Sequence, residues 1–236
     1  MFQREHHRRI AHLLEQLDAE LLRRHHCLFG GGTAIALRYG EFRESVNIDF
    51  LVSDRDGYRE LRQMIRREGS LKTLWRIDGL PLQEERDPLA DQYGIRARVI
   101  VDHVAIKFEI VLEGRVALES PGPVDLVSGI ACLTLGDMAC SKLLANSDRW
   151  NDDSTFSRDV LDLANLPVSK ALLEGAIAKA EEAYGDAIRI DLAKALDRLK
   201  ERDGWLNRCR VTLAIEEPRA QVWQKLSNLQ SLAGRS

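Results

Sequence analysis

The sequence predicts an α/β fold that is followed by an α-helical C-terminal region. Runs rich in β-branched and aromatic residues alternate with helix-like segments only within roughly the first 130 residues. From about Leu135 onward, apolar residues recur at helical spacing and clusters of β-branched residues become rare. We therefore predict an α/β core with an N-terminal helix at residues 1–130 and a helical region at residues 131–236.

The core is expected to begin with a long helix, a short strand and a glycine turn. Apolar residues at positions i, i+3, i+4, i+7 and i+11 predict one amphipathic helix from about residue 3 to 25. Cys27-Leu28-Phe29 is typical of a short strand, and the following Gly30-Gly31-Gly32 permits a tight turn. A second helix is then expected over residues 33–37.

The rest of the core is predicted to contain three strands and a helix. Residues 46–52 begin with alternating apolar and polar side chains, which is typical of a strand. A helix is expected over residues 58–67. Residues 95–101 and 104–112 are both strand-like, and the short connection Asp102-His103 predicts that they form a hairpin.

The C-terminal region carries three apolar stripes at the spacing of helices. Pro218 lies near the start of the last stripe, a position where proline is tolerated. The stripes are Leu172, Leu173 and Ile177, then Leu192, Leu196 and Leu199, then Val222, Leu226 and Leu229.

Composition and charge exclude several classes of protein. With 34 basic and 37 acidic residues, the net charge of −3 excludes a globally basic nucleic-acid-binding protein but permits a local basic face. The polar N-terminus and the lack of a long apolar run predict neither a secretion signal nor a membrane span. The four cysteines lie far apart without a C-x-x-C pair, which favours a reduced, cytoplasmic protein over a zinc or disulfide framework. The six histidines lack metal-binding spacing and are expected at the surface or at helix ends.

Three polar residues on predicted strands are candidates for a metal site. Residues i and i+2 of a strand share a face, so Asn47 and Asp49 project together, away from Ile48 and Phe50. Glu109 repeats this pattern in a later strand, as an acidic residue between apolar neighbours. A cation is needed where acidic groups converge, and oxygen ligands favour Mg²⁺ or Mn²⁺. The alternative is that each residue simply faces solvent.

The glycine run is a candidate phosphate site. Backbone N–H groups of Gly31 and Gly32, at the start of a helix, can bind phosphate with the help of the helix dipole. Thr33 can cap this helix or contact the phosphate through its hydroxyl. No Gly-Lys-Ser/Thr follows, and Ile35 occupies the last glycine position of the dinucleotide pattern, so neither a P-loop nor a Rossmann motif is present.

The order of these features resembles that of polymerase-β-type nucleotidyltransferases. Residues 31–34, which read G-G-T-A, and residues 43–50, which read R-E-S-V-N-I-D-F, are more specifically similar to the AbiEii/AbiGii toxin nucleotidyltransferases of bacterial toxin-antitoxin systems. Lys142, on a predicted helix, and residues 158–163, which read R-D-V-L-D-L, extend the resemblance over about residues 28–165. The resemblance implies a nucleotidyltransferase-like mixed sheet with flanking helices.

The resemblance also implies a reaction and partners. The reaction is transfer of a nucleoside monophosphate from an NTP to an RNA acceptor, most simply the 3′ end of tRNA, with Mg²⁺ or Mn²⁺ as the cofactor. A cognate antitoxin would control the protein. A small-molecule nucleotidyltransferase of the antibiotic-modifying kind, or a degenerate nucleotide-binding module, are the alternatives.

The implied site combines catalytic, nucleotide-binding and metal-binding residues. The catalytic residues would be Asp49, Asn47, Lys142 and Asp159; the nucleotide contacts would be Gly31, Gly32, Thr33, Arg43, Ser45 and Lys142; and the metal ligands would be Asp49, Asn47 and Glu109. Asp159 is favoured over Asp162 for a site role, and the alternative for both residues is an ion pair or an exposed acidic face. Arg43 could instead pair with Glu41 or Glu44, and Lys142 could be a solvated side chain.

Asn47 departs from the family pattern, which has aspartate at this position. An amide oxygen replaces a carboxylate and removes one negative charge from the metal site. Even an outer-shell change lowers metal affinity or activity about 10- to 100-fold, so we expect a weakened enzyme. Asn47 indicates either a natural inactive relative or a deliberate substitution in a toxic enzyme, and the otherwise intact pattern favours the second.

Three groups of arginines are candidates for RNA contact, although charged runs are more often ordinary solvated surface. The groups are Arg4, Arg8 and Arg9 with Arg23 and Arg24; Arg62, Arg66 and Arg67; and Arg96 with Arg98.

Overall fold

The computed structural model describes residues 2–80 and 82–234. The chain forms two compact units. The sheet unit contains the described chain up to Arg38 together with Ser45–Thr134, and the helical unit contains Tyr39–Glu44 and the described chain from Leu135 onward. The domain boundary predicted near residue 130 stays a prediction.

The sheet unit opens with two helices where one was predicted. They are α1 (Glu5–Glu15) and α2 (Ala19–Arg24). The single helix predicted over residues 3–25 is therefore wrong. Leu17 leaves the helix to form an antiparallel bridge with Trp75. The Asp18 carboxylate accepts the N–H of Leu21 at 2.9 Å and caps the second helix. A tertiary pairing and a new N-cap thus divide one apolar stripe between two helices.

The later elements of the sheet unit follow the predicted order. They are β1 (Leu28–Gly30), α3 (Gly31–Arg38), β2 (Asn47–Val52), α4 (Arg55–Glu68), a 3₁₀ turn (Leu71–Leu74), β3 (Gln83–Glu84), β4 (Leu89–Ala90), β5 (Gly94–Val101), β6 (Val104–Leu112), β7 (Leu126–Val127) and β8 (Ile130–Ala131). The predicted helices and longer strands are confirmed to within about three residues at each end. The short strands β3, β4, β7 and β8 were not predicted.

The larger sheet is mixed, as predicted. Its strand order is β1-β2-β6-β5-β3, and β4 pairs with β5 beside β3. Within the described part of the chain, β2 and β6 are the one parallel strand pair of this sheet, and its other strand pairs are antiparallel. The predicted hairpin joins β5 to β6 through Asp102 and His103, whose φ values of 48° and 64° match the positive φ that a tight hairpin turn requires.

Side-chain alternation gives this sheet one buried face and one polar face. On the buried face, the Phe50 ring lies 5.5 Å from the rings of both Phe29 and Phe108. Each fully buried aromatic ring contributes about 1.5–3 kcal/mol of hydrophobic stabilisation. The polar face carries the intervening residues of the three central strands, namely Asn47 and Asp49 of β2, Lys107 and Glu109 of β6, and Arg96 and Arg98 of β5. The apolar core therefore fixes which side chains stand together on the polar face.

The helical unit is built around one buried helix. Its helices are α5 (Leu135–Arg149), α6 (Arg158–Asn165), α7 (Lys170–Tyr184), α8 (Ala187–Glu201), α9 (Trp205–Thr212) and α10 (Arg219–Ala233), with a 3₁₀ turn at Asp153–Thr155. Helix α5 packs against α6, α7 and α8. The apolar stripes predicted for α7, α8 and α10 are buried except for the half-buried Leu172. Among the described residues, the helices are too short or too polar to cross a membrane.

Candidate functional site

The glycine turn brings backbone directly against the Asp49 carboxylate. Strand β1 ends at Gly30, which is the register partner of Asp49, and α3 begins at Gly31. Gly31 has a φ of +68°, and a Cβ atom there would lie 2.7 Å from Oδ2 of Asp49. Only glycine meets both requirements, because any other residue would be strained and would collide with the carboxylate. The start of α3 and Asp49 therefore form one compact arrangement.

Thr33 fastens the glycine helix to the strand that carries Asp49. The Thr33 side chain is buried, and its hydroxyl donates to the carbonyl oxygen of Asn47 at 2.5 Å. Its oxygen also lies 2.7 Å from the Ser45 hydroxyl. Because a hydroxyl has one proton, Ser45 is then the donor to Thr33. The predicted nucleotide contacts of Thr33 and Ser45 stay predictions, and the role that the structure shows is this attachment of α3 to β2.

His7 supports the same segment and was not foreseen as part of it. The imidazole of His7, which lies in α1, is fully buried, and its Nε2 accepts the N–H of Ser45 at 3.1 Å. The neighbouring His6 donates from Nε2 to the carbonyl of Val46 at 3.0 Å. Helix α1 thus fixes the chain just before Asn47. A histidine pair in a polar segment gave no sign of this, because the contact partners lie about 40 residues away.

The three candidate metal ligands share the polar face. In the parallel pair of β2 and β6, Asp49 is the register partner of Glu109, and Asn47 is the partner of Lys107. Adjacent strands lie about 4.8 Å apart, so partner side chains on one face are neighbours. The structure therefore brings Asn47, Asp49 and Glu109 together on one face of two adjacent strands. Their role as metal ligands stays a prediction.

Protein cations surround Glu109. The Lys107 Nζ lies 2.5 Å from Oε2 of Glu109, and the Arg96 Nε lies 3.7 Å from Oε1. Arg96 also donates to Oδ2 of Asp91 at 2.8 Å, and this bond helps to raise the pKa of Arg96. The Glu109 side chain is 17% exposed, whereas Lys107 is 46% exposed. Glu109 therefore already has positive partners, of which the ammonium of Lys107 is the nearer.

The donor chemistry of this face fits a hard divalent cation. Two carboxylates and an amide oxygen stand side by side, and oxygen ligands of this kind are those that Mg²⁺ and Mn²⁺ prefer. Among residues 2–80 and 82–234, His, Cys, Asp and Glu side chains form no metal-binding group of three or more. An asparagine is not one of these four residue types, and at this face the carboxylates are Asp49 and Glu109.

The other predicted site residues form a buried ionic cluster in the helical unit. We call the ionic cluster the set Arg43, Lys142, Arg149, Asp159 and Asp162. The Lys142 Nζ lies 3.0 Å from Oδ1 of Asp159 and 2.6 Å from Oδ2 of Asp162. Arg43 grips Asp162 with two hydrogen bonds of 2.5 and 2.8 Å. Arg149 grips Asp159 with two of 2.7 and 3.0 Å. The positive and negative groups thus alternate, and three cations hold two carboxylates.

Burial makes the charges of this cluster depend on one another. Except for Arg149, its side chains are at most 6% exposed. Burial by itself would raise the pKa of the Asp159 carboxyl, but Lys142 and Arg149 outweigh it and hold that pKa well below its ordinary value. The hydrogen bond to Asp159 likewise raises the pKa of Arg149. The Asp159 carboxylate and the Arg149 guanidinium are therefore expected to stay charged at neutral pH.

The cluster gives Asp162 a larger role than the sequence indicated. Asp162 is completely buried and links Lys142 to Arg43, although Asp159 was favoured from the sequence. Arg43 belongs to Tyr39–Glu44, the short segment that packs in the helical unit. The predicted nucleotide contacts of Arg43 and Lys142, and the catalytic role of Asp159, stay predictions. The acidic pair in R-D-V-L-D-L, at i and i+3 on one helix face, was the only sequence signal for this arrangement.

Comparisons with known proteins bear on both units. A family model described as "Nucleotidyl transferase AbiEii toxin, Type IV TA system" matches residues 12–227. JHP933 from Helicobacter pylori is a similar solved structure, with 17% identity, a TM-score of 0.50, and 99% of this chain and 92% of that chain covered. A second H. pylori structure, described as a candidate nucleotidyltransferase, has 16% identity and a TM-score of 0.48 over 97% of this chain and 92% of that chain. No curated protein matches the sequence. At 17% identity the likeness to JHP933 shows the fold alone.

Proposed function

Because this chain belongs to the AbiEii family of nucleotidyltransferase toxins from type IV toxin-antitoxin systems, we propose that it transfers a nucleoside monophosphate from an NTP to an RNA acceptor. Pyrophosphate is the leaving group, and a hydroxyl at the 3′ end of tRNA is the proposed acceptor. Family membership also implies a cognate antitoxin.

One observation supports the proposal most strongly, the contact of the glycine turn with Asp49. Backbone N–H groups at the start of α3 favour an anion, since they lack partners within the helix and the helix dipole is positive there. A Cβ atom added at Gly31 would lie 2.7 Å from Oδ2 of Asp49, so the proposed anion site would lie beside an acidic group. A phosphate and a carboxylate side by side repel each other unless a cation lies between them. We propose that Gly31 and Gly32 seat the triphosphate there.

Asp49, Glu109 and Asn47 would hold a divalent cation, Mg²⁺ or Mn²⁺, at this position. When bound, the ion would stabilise negative charge on the phosphate oxygens during transfer. The protein contributes the placement of these oxygens, which follows from the pairing of β2 with β6 and from the fastening of Thr33 to Asn47. Replacement of a carboxylate by Asn47 leaves the site short of one negative charge, so we propose that the chain is a weakened enzyme.

For the helical unit, we propose that Lys142 adds positive charge for nucleotide binding and that Asp159 orients it. Three cations and two carboxylates leave the ionic cluster with one net positive charge. The carboxylates also hold the Lys142 ammonium on two sides, which fixes its orientation. Arg43 adds to the net positive charge of the ionic cluster. It donates to Asp162 from its Nε and from one terminal nitrogen.

The proposed RNA acceptor is supported by exposed arginines. Arg8, Arg23 and Arg24 are exposed near the start of the chain, whereas Arg9 is partly buried beside Glu5 and Asp102. Exposed arginines can neutralise phosphates and release counterions, which is the main source of affinity for RNA. Because the whole chain carries a net charge of −3, RNA would be confined to such local basic faces.

A second candidate function is that of a nucleotide-binding module without transfer activity. Asn47 and the ion pair between Lys107 and Glu109 favour it, because both reduce the negative charge that a metal requires. Such a module would bind NTP at the glycine turn and would release no pyrophosphate.

Labelled NTP transfer separates these functions. The chain and its Asn47→Asp variant would be incubated with each α-³²P-labelled NTP, Mg²⁺ or Mn²⁺, and total RNA, purified tRNA or small hydroxylated compounds. Label in tRNA supports the proposal, and label only in small compounds would replace it by an antibiotic-type transferase. NTP binding without transfer by either form would establish the nucleotide-binding module. Asn47→Asp combined with Asp49→Asn serves as the inactive control.

A further inference from the structure

We propose that Lys107 competes with the divalent metal for Glu109 and so sets the metal affinity of the polar face. The inference rests on the proposed function, since it concerns the same metal site. It adds a residue that the sequence patterns left unassigned, because Lys107 lies two positions before Glu109 and resembles an ordinary exposed strand lysine.

The register of the sheet places Lys107 among the proposed ligands. Lys107 and Glu109 lie on the same face of β6, and their partners on β2 are Asn47 and Asp49. Lys107 therefore stands beside the position where the family pattern has a carboxylate. Its ammonium lies 2.5 Å from Oε2 of Glu109 and so occupies one of the two carboxylate oxygens that could bind a metal.

Lys107 is a better competitor than the arginine on its other side. Arg96 lies 3.7 Å from Glu109 but is already bonded to Asp91 at 2.8 Å. Lys107 is half exposed and its long stem is flexible, so its ammonium can leave Glu109 when a stronger cation arrives. Glu109 thus has one partner that is anchored elsewhere and one that can be displaced.

Asn47 strengthens this competition. With Asn47 in place, Asp49 and Glu109 supply two negative charges, and Lys107 cancels one of them. An aspartate at position 47 would give Lys107 a second carboxylate beside it. The three carboxylates and the Lys107 ammonium would then present a net charge of −2 to the metal. A unit charge about 6 Å from a divalent ion in a water-like dielectric changes the affinity about tenfold.

The test measures Mn²⁺ binding in the absence of nucleotide and RNA. Binding is detected as a loss of the electron paramagnetic resonance signal of free Mn²⁺ and, independently, by calorimetry. Lys107→Met is expected to tighten Mn²⁺ binding about tenfold in the parent chain and by less in the Asn47→Asp variant, where a second carboxylate lies beside Lys107. Lys107→Arg keeps the charge and should leave the affinity close to that of the parent. Adding Glu109→Gln to Lys107→Met should abolish the gain.

Arg98→Met is the matched control. Arg98 is the register partner of Lys107 on the same face, is 52% exposed, and pairs with Glu85. Arg98→Met removes one positive charge, as Lys107→Met does, but this charge is not paired with Glu109. It should therefore change the Mn²⁺ affinity less than threefold. Equal effects of Lys107→Met and Arg98→Met, or no effect of either, would overturn the role of Lys107 while leaving the metal site intact. If none of the variants binds Mn²⁺, including Asn47→Asp, the metal site and this inference both fail. Thermal unfolding of each variant checks that the fold is kept.

Discussion

Replacing Asp159 by asparagine should destabilise the helical unit strongly. Asp159 is almost fully buried and accepts hydrogen bonds from both Lys142 and Arg149. Asparagine has nearly the same shape, but it lacks the negative charge and turns a donor toward two cations. Breaking a buried ion pair by removing one partner costs about 3–5 kcal/mol. Arg149 is 36% exposed, so water screens its ion pair with Asp159. We therefore expect Asp159→Asn to lose about 3 kcal/mol of unfolding free energy, at the lower end of this range.

Asp153→Asn is a matched control in the same unit. Asp153 also pairs with two arginines, Arg198 and Arg202, but its side chain is 51% exposed. Exposed ion pairs contribute about 0–1 kcal/mol, so the control should lose little. Urea denaturation at pH 7, followed by tryptophan fluorescence, compares the free energies of unfolding. Three of the four tryptophans, Trp150, Trp205 and Trp223, lie in the helical unit and report on it. If Asp159→Asn loses no more stability than Asp153→Asn, the ionic cluster does not stabilise the fold as argued.

The pH dependence of this loss has a definite sign. The pKa of Asp159 is lower in the folded chain than in the unfolded chain, where it is about 3.9. Its contribution is therefore complete above about pH 5 and is lost as the pH falls below the unfolded pKa toward the folded one. The difference in stability between the parent and Asp159→Asn should stay constant from pH 7 to pH 5 and shrink below pH 4. A difference that grows on acidification would contradict this assignment.

Two further predictions test the glycine turn and the RNA face. Gly31→Ala should weaken binding of a fluorescent NTP analogue at least tenfold, because the added methyl group would displace the Asp49 carboxylate. Gly69→Ala is the control, since Gly69 has the same φ of +68° and a Cβ atom there would have nothing within 4 Å. This control should lose about 1–2 kcal/mol of stability and keep its nucleotide affinity. Equal nucleotide affinities of Gly31→Ala and Gly69→Ala would show that the glycine turn does not bind the nucleotide. Substitution of Arg8, Arg9, Arg23 and Arg24 by alanine should reduce the slope of log affinity for tRNA against log salt by about 0.7–0.9 per lost phosphate contact, without loss of NTP binding. An unchanged slope would move the RNA face to another arginine group, and no tRNA binding at low salt would favour the small-molecule alternative.

Local patterns predicted most of the elements that frame the candidate site. The alternation from Val46 to Phe50 determined which β2 side chains share a face, because a strand has a period of two. Asp102-His103 predicted the hairpin, since a two-residue connection permits little else. The glycine turn was likewise visible from three consecutive glycines, although its contact with Asp49 was not.

Long-range pairing could not be predicted from the same patterns. The parallel register of β2 on β6 joins residues 60 positions apart, and the ion pair of Arg43 with Asp162 joins residues 119 positions apart. The break between α1 and α2 depends on the bridge from Leu17 to Trp75, which overrides a continuous apolar stripe. The position of Lys107 beside Asn47 follows from register alone and has no sequence signature.

The rate of nucleotide transfer by the Asn47→Asp variant tests the central claim most directly. With saturating Mg²⁺ and NTP and with tRNA as the acceptor, we expect this variant to transfer labelled NMP at least about tenfold faster than the parent chain, and EDTA to abolish the transfer. Adding Asp49→Asn to Asn47→Asp should remove the gain in rate, because the Asp49 carboxylate beside the glycine turn is then lost. Equal rates for Asn47→Asp and the parent, or a gain that survives EDTA, would contradict the account of a metal-dependent nucleotidyltransferase limited by Asn47.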